Sequence, residues 1–236
     1  MQGEIHSELE STQLTLKQKF EENPALAHGY YVMAQVQTKG RGRLDNSWNS
    51  VLGNLHASVL LRKFPFPMLT WVPFWVAVAI HKTLVEYGVA PDSIKLKWPN
   101  DLWIEGNKKA AGILCEKKGD EIYAGIGLNL VQAPFPQAGV IPLDPSVSPE
   151  DLLKKVISNL SYFHSIPEIR KYYELYSLLQ IGQAVSWNEK GNRVEGILVG
   201  MDEYGALRVR VGERVVPLYS EEVSAVTVPA TTGQST

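Results

Sequence analysis

Cysteine is almost missing from this chain: Cys115 is the single one in 236 residues. One thiol excludes an internal disulfide framework and any metal site built on several cysteines. Long apolar runs are missing too. The most hydrophobic segment, Leu69 to Val85, is interrupted by Pro73, His81 and Lys82 and is too short to cross a bilayer as a helix. The opening MQGEIHSELE has neither the basic start nor the apolar centre of a secretory leader. No charge of one sign dominates. The 23 Lys and Arg against 25 Asp and Glu leave a net charge of −2, so nothing pulls the whole chain toward nucleic acid or acidic lipid. The GxGxxG and GxxxxGK(S/T) phosphate loops are absent, as are internal repeats and low-complexity blocks. What these absences leave is a cytoplasmic globular protein. Its 44% hydrophobic content suits one large core with a small appendage.

The most informative stretch present is Lys97-Trp98-Pro99-Asn100-Asp101-Leu102-Trp103-Ile104, running on to Lys109-Ala110-Ala111-Gly112-Ile113-Leu114. Proline removes a backbone donor and biases Trp98 away from helix. Asn100 and Asp101 are therefore expected on a stiff bend at a strand end, with a turn at Glu105-Gly106-Asn107 returning a second strand. Two lysines, an asparagine and an aspartate this close to bulky apolar residues point to the floor of an active site. Cys115 continues the apolar run from Gly112 and reads as a structural strand residue, since buried free cysteine behaves as a small hydrophobe.

A second polar cluster is Gln37-Thr38-Lys39-Gly40-Arg41-Gly42-Arg43-Leu44-Asp45-Asn46-Ser47-Trp48, following a strand at Tyr30 to Val36. Glycines let backbone approach a ligand, and guanidinium groups bring forked donors and fixed charge. That chemistry suits phosphate or carboxylate; a solvated loop and a nucleic-acid arm are the alternatives. Around these motifs, Ile5-His6 reads as a short strand. Ser11 and Thr12 read as an N-cap for a helix, or as hydroxyls facing a ligand. Asn54 to Leu61 alternates as a strand with Leu55, Ala57, Val59 and Leu61 on one side. Leu69 to Tyr87 has helical spacing and stops at Gly88, with Trp71, Phe74 and Trp75 as packing residues. Strands follow at Ile94 to Lys97, Ala110 to Glu116 and Ile122 to Asn129, the last closing in Gly125-Ile126-Gly127-Leu128-Asn129. Ser148-Pro149-Glu150-Asp151 starts a helix running to about Phe163, and Pro167 starts another to about Leu179. From Gln183 to Val228 only short strands and turns are expected. The predicted organisation is a domain over residues 1–180, a small β-barrel over 181–228 and a disordered tail over 229–236.

The Gln37-to-Trp48 loop, the KWPND stretch with its Lys109-to-Leu114 continuation and the Gly125-to-Leu130 strand occur in an order that resembles the biotin protein ligases. The resemblance covers roughly residues 5 to 226. It implies an α+β fold: a mixed-sheet biotin/lipoate ligase-like catalytic domain followed by a small SH3-like β-barrel. It also implies a two-step, Mg²⁺-assisted reaction: biotin and ATP give biotinyl-5′-AMP and pyrophosphate, and a carrier lysine then takes the biotinyl group. The implied partners are biotin, ATP and the biotin carboxyl carrier domain of a biotin-dependent carboxylase, with room for a homodimer and no role for DNA or a membrane.

Carried over position by position, the resemblance puts Ser11, Thr12, Gln37, Gly40, Arg41, Trp48, Lys109 and Gly112 at biotin. It puts Arg41, Arg43, Trp48, Lys97, Asn100, Lys109 and Asn129 at ATP or the adenylate. The catalytic set is Lys109, Arg41, Arg43 and Asp101, and no metal ligand is assigned. Asp101 either takes a proton from the incoming lysine or orients neighbours. Lys108 is expected at the surface. Gln13 stands where the family has asparagine, and Leu44-Asp45-Asn46 replaces a more basic continuation of the arginine loop. The N-terminus is too short for the winged helix of bifunctional members, so the expectation is a ligase that is not a repressor. The alternatives are a lipoate or octanoate ligase of the same fold and a non-catalytic biotin or acyl-carrier binding module.

Overall fold

The computed structural model describes residues 1–44, 46–62, 67–189, 192–220 and 224–227. The expected tail lies outside these residues, as do Asp45 and Gly191. Two compact units divide the chain, Met1–Tyr176 and a second beginning at Ser177.

The first unit is built on a seven-stranded mixed sheet. Its strands are β1 (Gly3–Leu9), β2 (Tyr31–Gln37), β3 (Leu55–Leu61), β4 (Ile94–Lys97), β5 (Asp101–Ile104), β6 (Lys108–Lys118) and β7 (Glu121–Leu128). The order across the sheet is β1-β2-β3-β7-β6-β5-β4. Among the described strands β1 and β2 are the one parallel pair; α1 (Thr12–Glu22) supplies their crossover. Helix α2 (Val72–Glu86) is preceded by a tighter turn at Leu69–Trp71 and followed by Gly88, whose φ of 88° only glycine adopts freely. Trp71, Phe74 and Trp75 are all buried, as packing residues should be. Helix α3 (Pro149–Leu160) begins where serine and proline predict: Ser148 Oγ accepts from the Asp151 backbone N–H at 3.0 Å.

Both faces of the sheet are covered. Successive strand residues point to opposite sides. Val32 and Leu60 pack with Leu16 of α1, whereas Tyr31, next along β2, donates its hydroxyl to Glu150 of α3. Helices α2 and α3 pack against each other and against the sheet. The expected apolar side of β3 is present, and the side opposite is buried as well. Leu55, Ala57, Val59 and Leu61 are buried, but so are His56, Ser58 and Leu60 between them. The alternation marks two environments, one apolar and one partly polar, rather than an inside and an outside.

Helix α4 (Ile166–Leu175) starts one residue before Pro167, with Ser165 as its cap, and ends well short of Leu179. The reason is tertiary: the Tyr176 carbonyl accepts from Leu96 N–H at 2.9 Å, so the chain leaves the helix to bond the sheet at β4. The second unit is a five-stranded antiparallel sheet of β8 (Ala184–Glu189), β9 (Asn192–Met201), β10 (Leu207–Val211), β11 (Arg214–Leu218) and β12 (Ser224–Thr227), in the order β11-β10-β9-β8-β12. Gly212 and Glu213 make the two-residue turn between the paired Val211 and Arg214.

Candidate active site

One cross-strand row forms the floor of the site. Lys97 lies beside Asp101, Asp101 beside Gly112, Gly112 beside Gly127, and Gly127 beside His56. Directly opposed residues of a ladder point to the same face. The KWPND stretch is the start of this row: Trp98, Pro99 and Asn100 make the turn between β4 and β5, and Lys97 and Asp101 close it as a pair. Lys97 is nearly buried, with its ammonium 3.8 Å from the centre of the Trp103 ring. Burial lowers its pKa, Asp101 opposes that shift and Lys109 adds to it.

Lys109 reaches the row because β6 carries a bulge. Leu102 pairs Ala111, but Trp103 pairs Lys109, so Ala110 is the extra residue. An extra residue reverses which face the following side chains meet. It brings Lys109 onto the side of Asp101 and Gly112. The Lys109 ammonium stands 2.7 Å from Asp101 Oδ1 and 5.8 Å from the centre of the Trp48 ring. Lys108 instead pairs with Glu105 in the turn, at 2.7 Å.

The two floor glycines make room, and Trp48 takes it. A Cβ on Gly112 would meet the indole at 2.9 Å and the Lys109 ammonium at 3.2 Å, and one on Gly127 would collide with the indole outright. The arginine loop carrying Trp48 is closed on itself. Trp48 N–H donates to the Gly40 carbonyl at 2.9 Å, Gly42 N–H to Asn46 at 2.7 Å, and Arg41 bridges Ser47. Gly40 is required there, because a Cβ would press on the Trp48 carbonyl. Arg43 donates to Asn100 Oδ1 at 3.1 Å, and Asn100 Nδ2 donates to the Ile113 carbonyl at 2.6 Å. The loop and the KWPND turn are thus tied together through Asn100. Arg41 is exposed and its charge is felt at Glu116. Burial pushes the Glu116 carboxyl up, but Lys17, Gln13 and Arg41 together hold it below its usual range. The structure therefore brings Arg43, and not Arg41, to the turn.

A second polar wall is the start of α1. Gln37 Oε1 accepts from Thr12 N–H at 2.8 Å and from the Thr12 hydroxyl at 3.1 Å, and that hydroxyl also bonds Ser58 at 2.9 Å. The capping expectation holds in position but not in bonding. Ser11 sits at the N-cap position, yet its side chain makes no cap hydrogen bond, and the Thr12 hydroxyl is spent across the sheet. Gln13 turns inward with its longer side chain: Nε2 donates to the Tyr123 carbonyl at 2.9 Å and the Leu114 carbonyl at 3.4 Å, bridging β7 and β6. At the far end of β7, Asn129 is buried. Its backbone N–H donates to Ala110, its Nδ2 to Gly139 at 3.0 Å, and its Oδ1 has no partner. Cys115 takes no part; burial pushes its thiol up to about 12.

His56, Ser58 and Gly127 belong to this site without having been singled out as site residues. The signal was present in β3, where His56 and Ser58 alternate with purely apolar residues. Two polar side chains on one face of an otherwise hydrophobic strand mark a polar lining. Among the described residues no group of three or more His, Cys, Asp or Glu side chains could hold a metal, and no helix is long and apolar enough to cross a membrane.

Comparison with known proteins identifies the family. The sequence profile of the biotin/lipoate A/B protein ligase family matches residues 7–130. The chain is 30% identical to the biotin–[acetyl-CoA-carboxylase] ligase of Mycobacterium tuberculosis, over 83% of this chain and 78% of that protein. It is 30% identical to the bifunctional ligase/repressor BirA of Bacillus subtilis, over 92% and 72%. Among solved structures, the biotin protein ligase of Aquifex aeolicus in complex with biotin and ATP superposes with a TM-score of 0.79 at 29% identity, covering 97% of this chain and 99% of that one.

Proposed function

Because the chain belongs to the biotin/lipoate A/B protein ligase family, we propose that it joins biotin to a lysine of a carrier protein, using ATP and passing through biotinyl-5′-AMP. The observation that carries this reading is the meeting of Lys109, Asp101 and the Arg43–Asn100 link around a glycine floor, in a chain whose relatives are biotin ligases.

In the first step a biotin carboxylate oxygen attacks the α-phosphorus of ATP, and pyrophosphate leaves. Two anions must meet, so fixed positive charge is needed where charge develops. Lys109 supplies it over Gly112, with Arg43 bonded to Asn100 and Lys97 beside Asp101 adding charge at the neighbouring turn. Holding both reactants in line is worth about 7–11 kcal/mol at best. In the second step the carrier's lysine amine attacks the anhydride carbonyl, the C–O bond to phosphate breaks, an amide forms, AMP leaves and the amine's proton passes to solvent. Asp101, paired to Lys109, orients that ammonium rather than accepting the proton. Thr12, Gln37 and Ser11 suit the polar head of biotin within an apolar wall. Trp48 suits the thioether ring and adenosine, with Gly40 and Gly112 keeping the backbone close. Asn129 Oδ1, buried without a partner, suits the amino group of adenine. Arg41, exposed at the surface of the loop, suits the phosphate of the adenylate.

Magnesium, if bound with the nucleotide, would offset phosphate charge alongside Lys109 and Arg43. The partner is the biotin carboxyl carrier domain of a carboxylase, and the small barrel expected over residues 181–228, within the second unit, is SH3-like.

The test is ATP–pyrophosphate exchange with purified protein. Exchange should require biotin. Exchange with lipoate or octanoate but not biotin transfers the reading to the other branch of the family. No exchange with any of them leaves a binding module.

A further inference from the structure

We propose that His56 is a positioning residue, the side chain that sets the Trp48 indole on the glycine floor. The Trp48 indole N–H donates to His56 Nδ1 at 3.1 Å. Indole nitrogen is a donor only, so Nδ1 must present its lone pair. The proton of the neutral ring is then on Nε2, which donates to the Val51 carbonyl at 3.2 Å. One imidazole therefore holds both ends of the segment Trp48 to Val51. His56 is fully buried, and burial keeps its pKa below the ordinary value, consistent with a neutral acceptor.

The row offers no substitute. His56 pairs with Gly127, and the next residue across is Gly112; neither has side-chain atoms. Beyond them, Asp101 Oδ1 is already occupied by Lys109. The floor is bare where the indole lies, so shape alone leaves the ring free to slide or turn over. The hydrogen bond at its edge selects one orientation. A half-buried indole held this way is a rigid wall; released, it would leave an N–H to find water and a loop to reorganise on every binding event.

The kinetic part of this inference rests on the proposed ligase reading, whereas the structural part does not. In the unmodified protein, ¹⁵N NMR should find His56 as the Nε2–H tautomer, and the Trp48 indole N–H, assigned among six tryptophans by Trp48→Phe, should be protected from solvent exchange. An Nδ1–H tautomer, or an indole N–H exchanging like an exposed one, overturns the proposal without any variant needing to fold. In His56→Leu the indole protection should be lost and KM for biotin should rise about tenfold, the worth of one good hydrogen bond, with kcat changed much less. His56→Asn, whose Oδ1 occupies the place of Nδ1, should restore protection and most of the affinity. Equal protection and equal KM in His56→Leu and the parent protein overturn the proposal. If the parent protein shows no biotin-dependent exchange, the ligase reading fails while the NMR result still decides the role of His56.

Discussion

The Lys109 ammonium lies 2.7 Å from Asp101 Oδ1, and a single extra residue, Ala110, makes that contact geometrically available. Neighbouring Lys108 has an equally short ion pair, but with Glu105 in the turn. The bulge thus separates two adjacent lysines into one at the floor and one at the surface. Lys109→Ala should lower the rate of biotin-dependent pyrophosphate exchange by about 10²-fold or more, the usual loss on removing a charge-stabilising donor. Lys108→Ala should stay within about twofold, since exposed ion pairs contribute little. Similar losses in both variants would show that the bulge does not choose between them.

Asp101 offers a way to separate orientation from proton transfer. Asp101→Asn preserves shape and removes the charge that holds Lys109. If Asp101 orients that lysine, both half-reactions should slow together, by about tenfold or somewhat more for a charged hydrogen bond. Exchange measures the first half-reaction, and transfer from preformed biotinyl-5′-AMP to a carrier domain measures the second. A loss confined to transfer would identify Asp101 as the base.

Asn100 joins the two motifs, so its removal should be felt in both stability and loop order. Asn100→Ala leaves the Arg43 guanidinium and the Ile113 carbonyl without this partner. The expected cost is about 1–3 kcal/mol, read as a shift of the urea midpoint. Trypsin should also cut after Arg43 sooner than in the parent protein. Unchanged cleavage would mean that the loop is held by its own backbone bonds alone.

Gly112 tests the floor. In Gly112→Ala the new methyl would stand 2.9 Å from the Trp48 ring and 3.2 Å from the Lys109 ammonium. Both groups must then shift, and misplacement of about an ångström costs on the order of a hundredfold in rate. The fold should survive, because the displaced side chains are half-exposed. Full exchange activity in Gly112→Ala would show that the floor tolerates what its geometry forbids.

How much of this was legible beforehand can be judged residue by residue. The strands and helices of the first unit follow hydrophobic period, capping serines and glycine stops, all local signals. Ser148 and Gly88 act as their residue types suggest. What escaped was set by distant partners. The end of α4 depends on a hydrogen bond to Leu96, far away in sequence. Ser11 looks like a cap and makes no cap bond, because the neighbouring Thr12 is drawn to Gln37 and Ser58. The bulge at Ala110 leaves no trace in alternation, yet it decides which lysine faces inward. His56 taken alone carries no local mark of function, since a lone histidine in an apolar strand resembles a satisfied core residue. Its meaning appears only when the loop bearing Trp48 is folded over the sheet.

A second buried histidine governs stability rather than chemistry. His81 of α2 is fully buried. Its Nε2 lies 3.1 Å from the Pro91 carbonyl, which can only accept, so Nδ1 accepts from the Tyr172 hydroxyl at 3.0 Å. This is a neutral ring, and burial lowers its pKa from 6.5, outweighing the bonds to Pro91 and Ile94. Below pH 6.5 the unfolded chain therefore binds a proton that the folded chain refuses. Stability is unaffected by this group above 6.5 and falls as pH drops through the interval down to the folded pKa. His56 adds to the effect in the same direction, while Glu86, held at about 2 by Asn159, Lys82 and Lys155 against the cost of burial, stays ionised throughout. Urea midpoints at pH 7.5 and 5.5 should therefore differ in the parent protein, and His81→Gln should show a smaller difference. If the two proteins lose stability in parallel, the acid sensitivity comes from elsewhere and the neutral His81 contact contributes nothing to it.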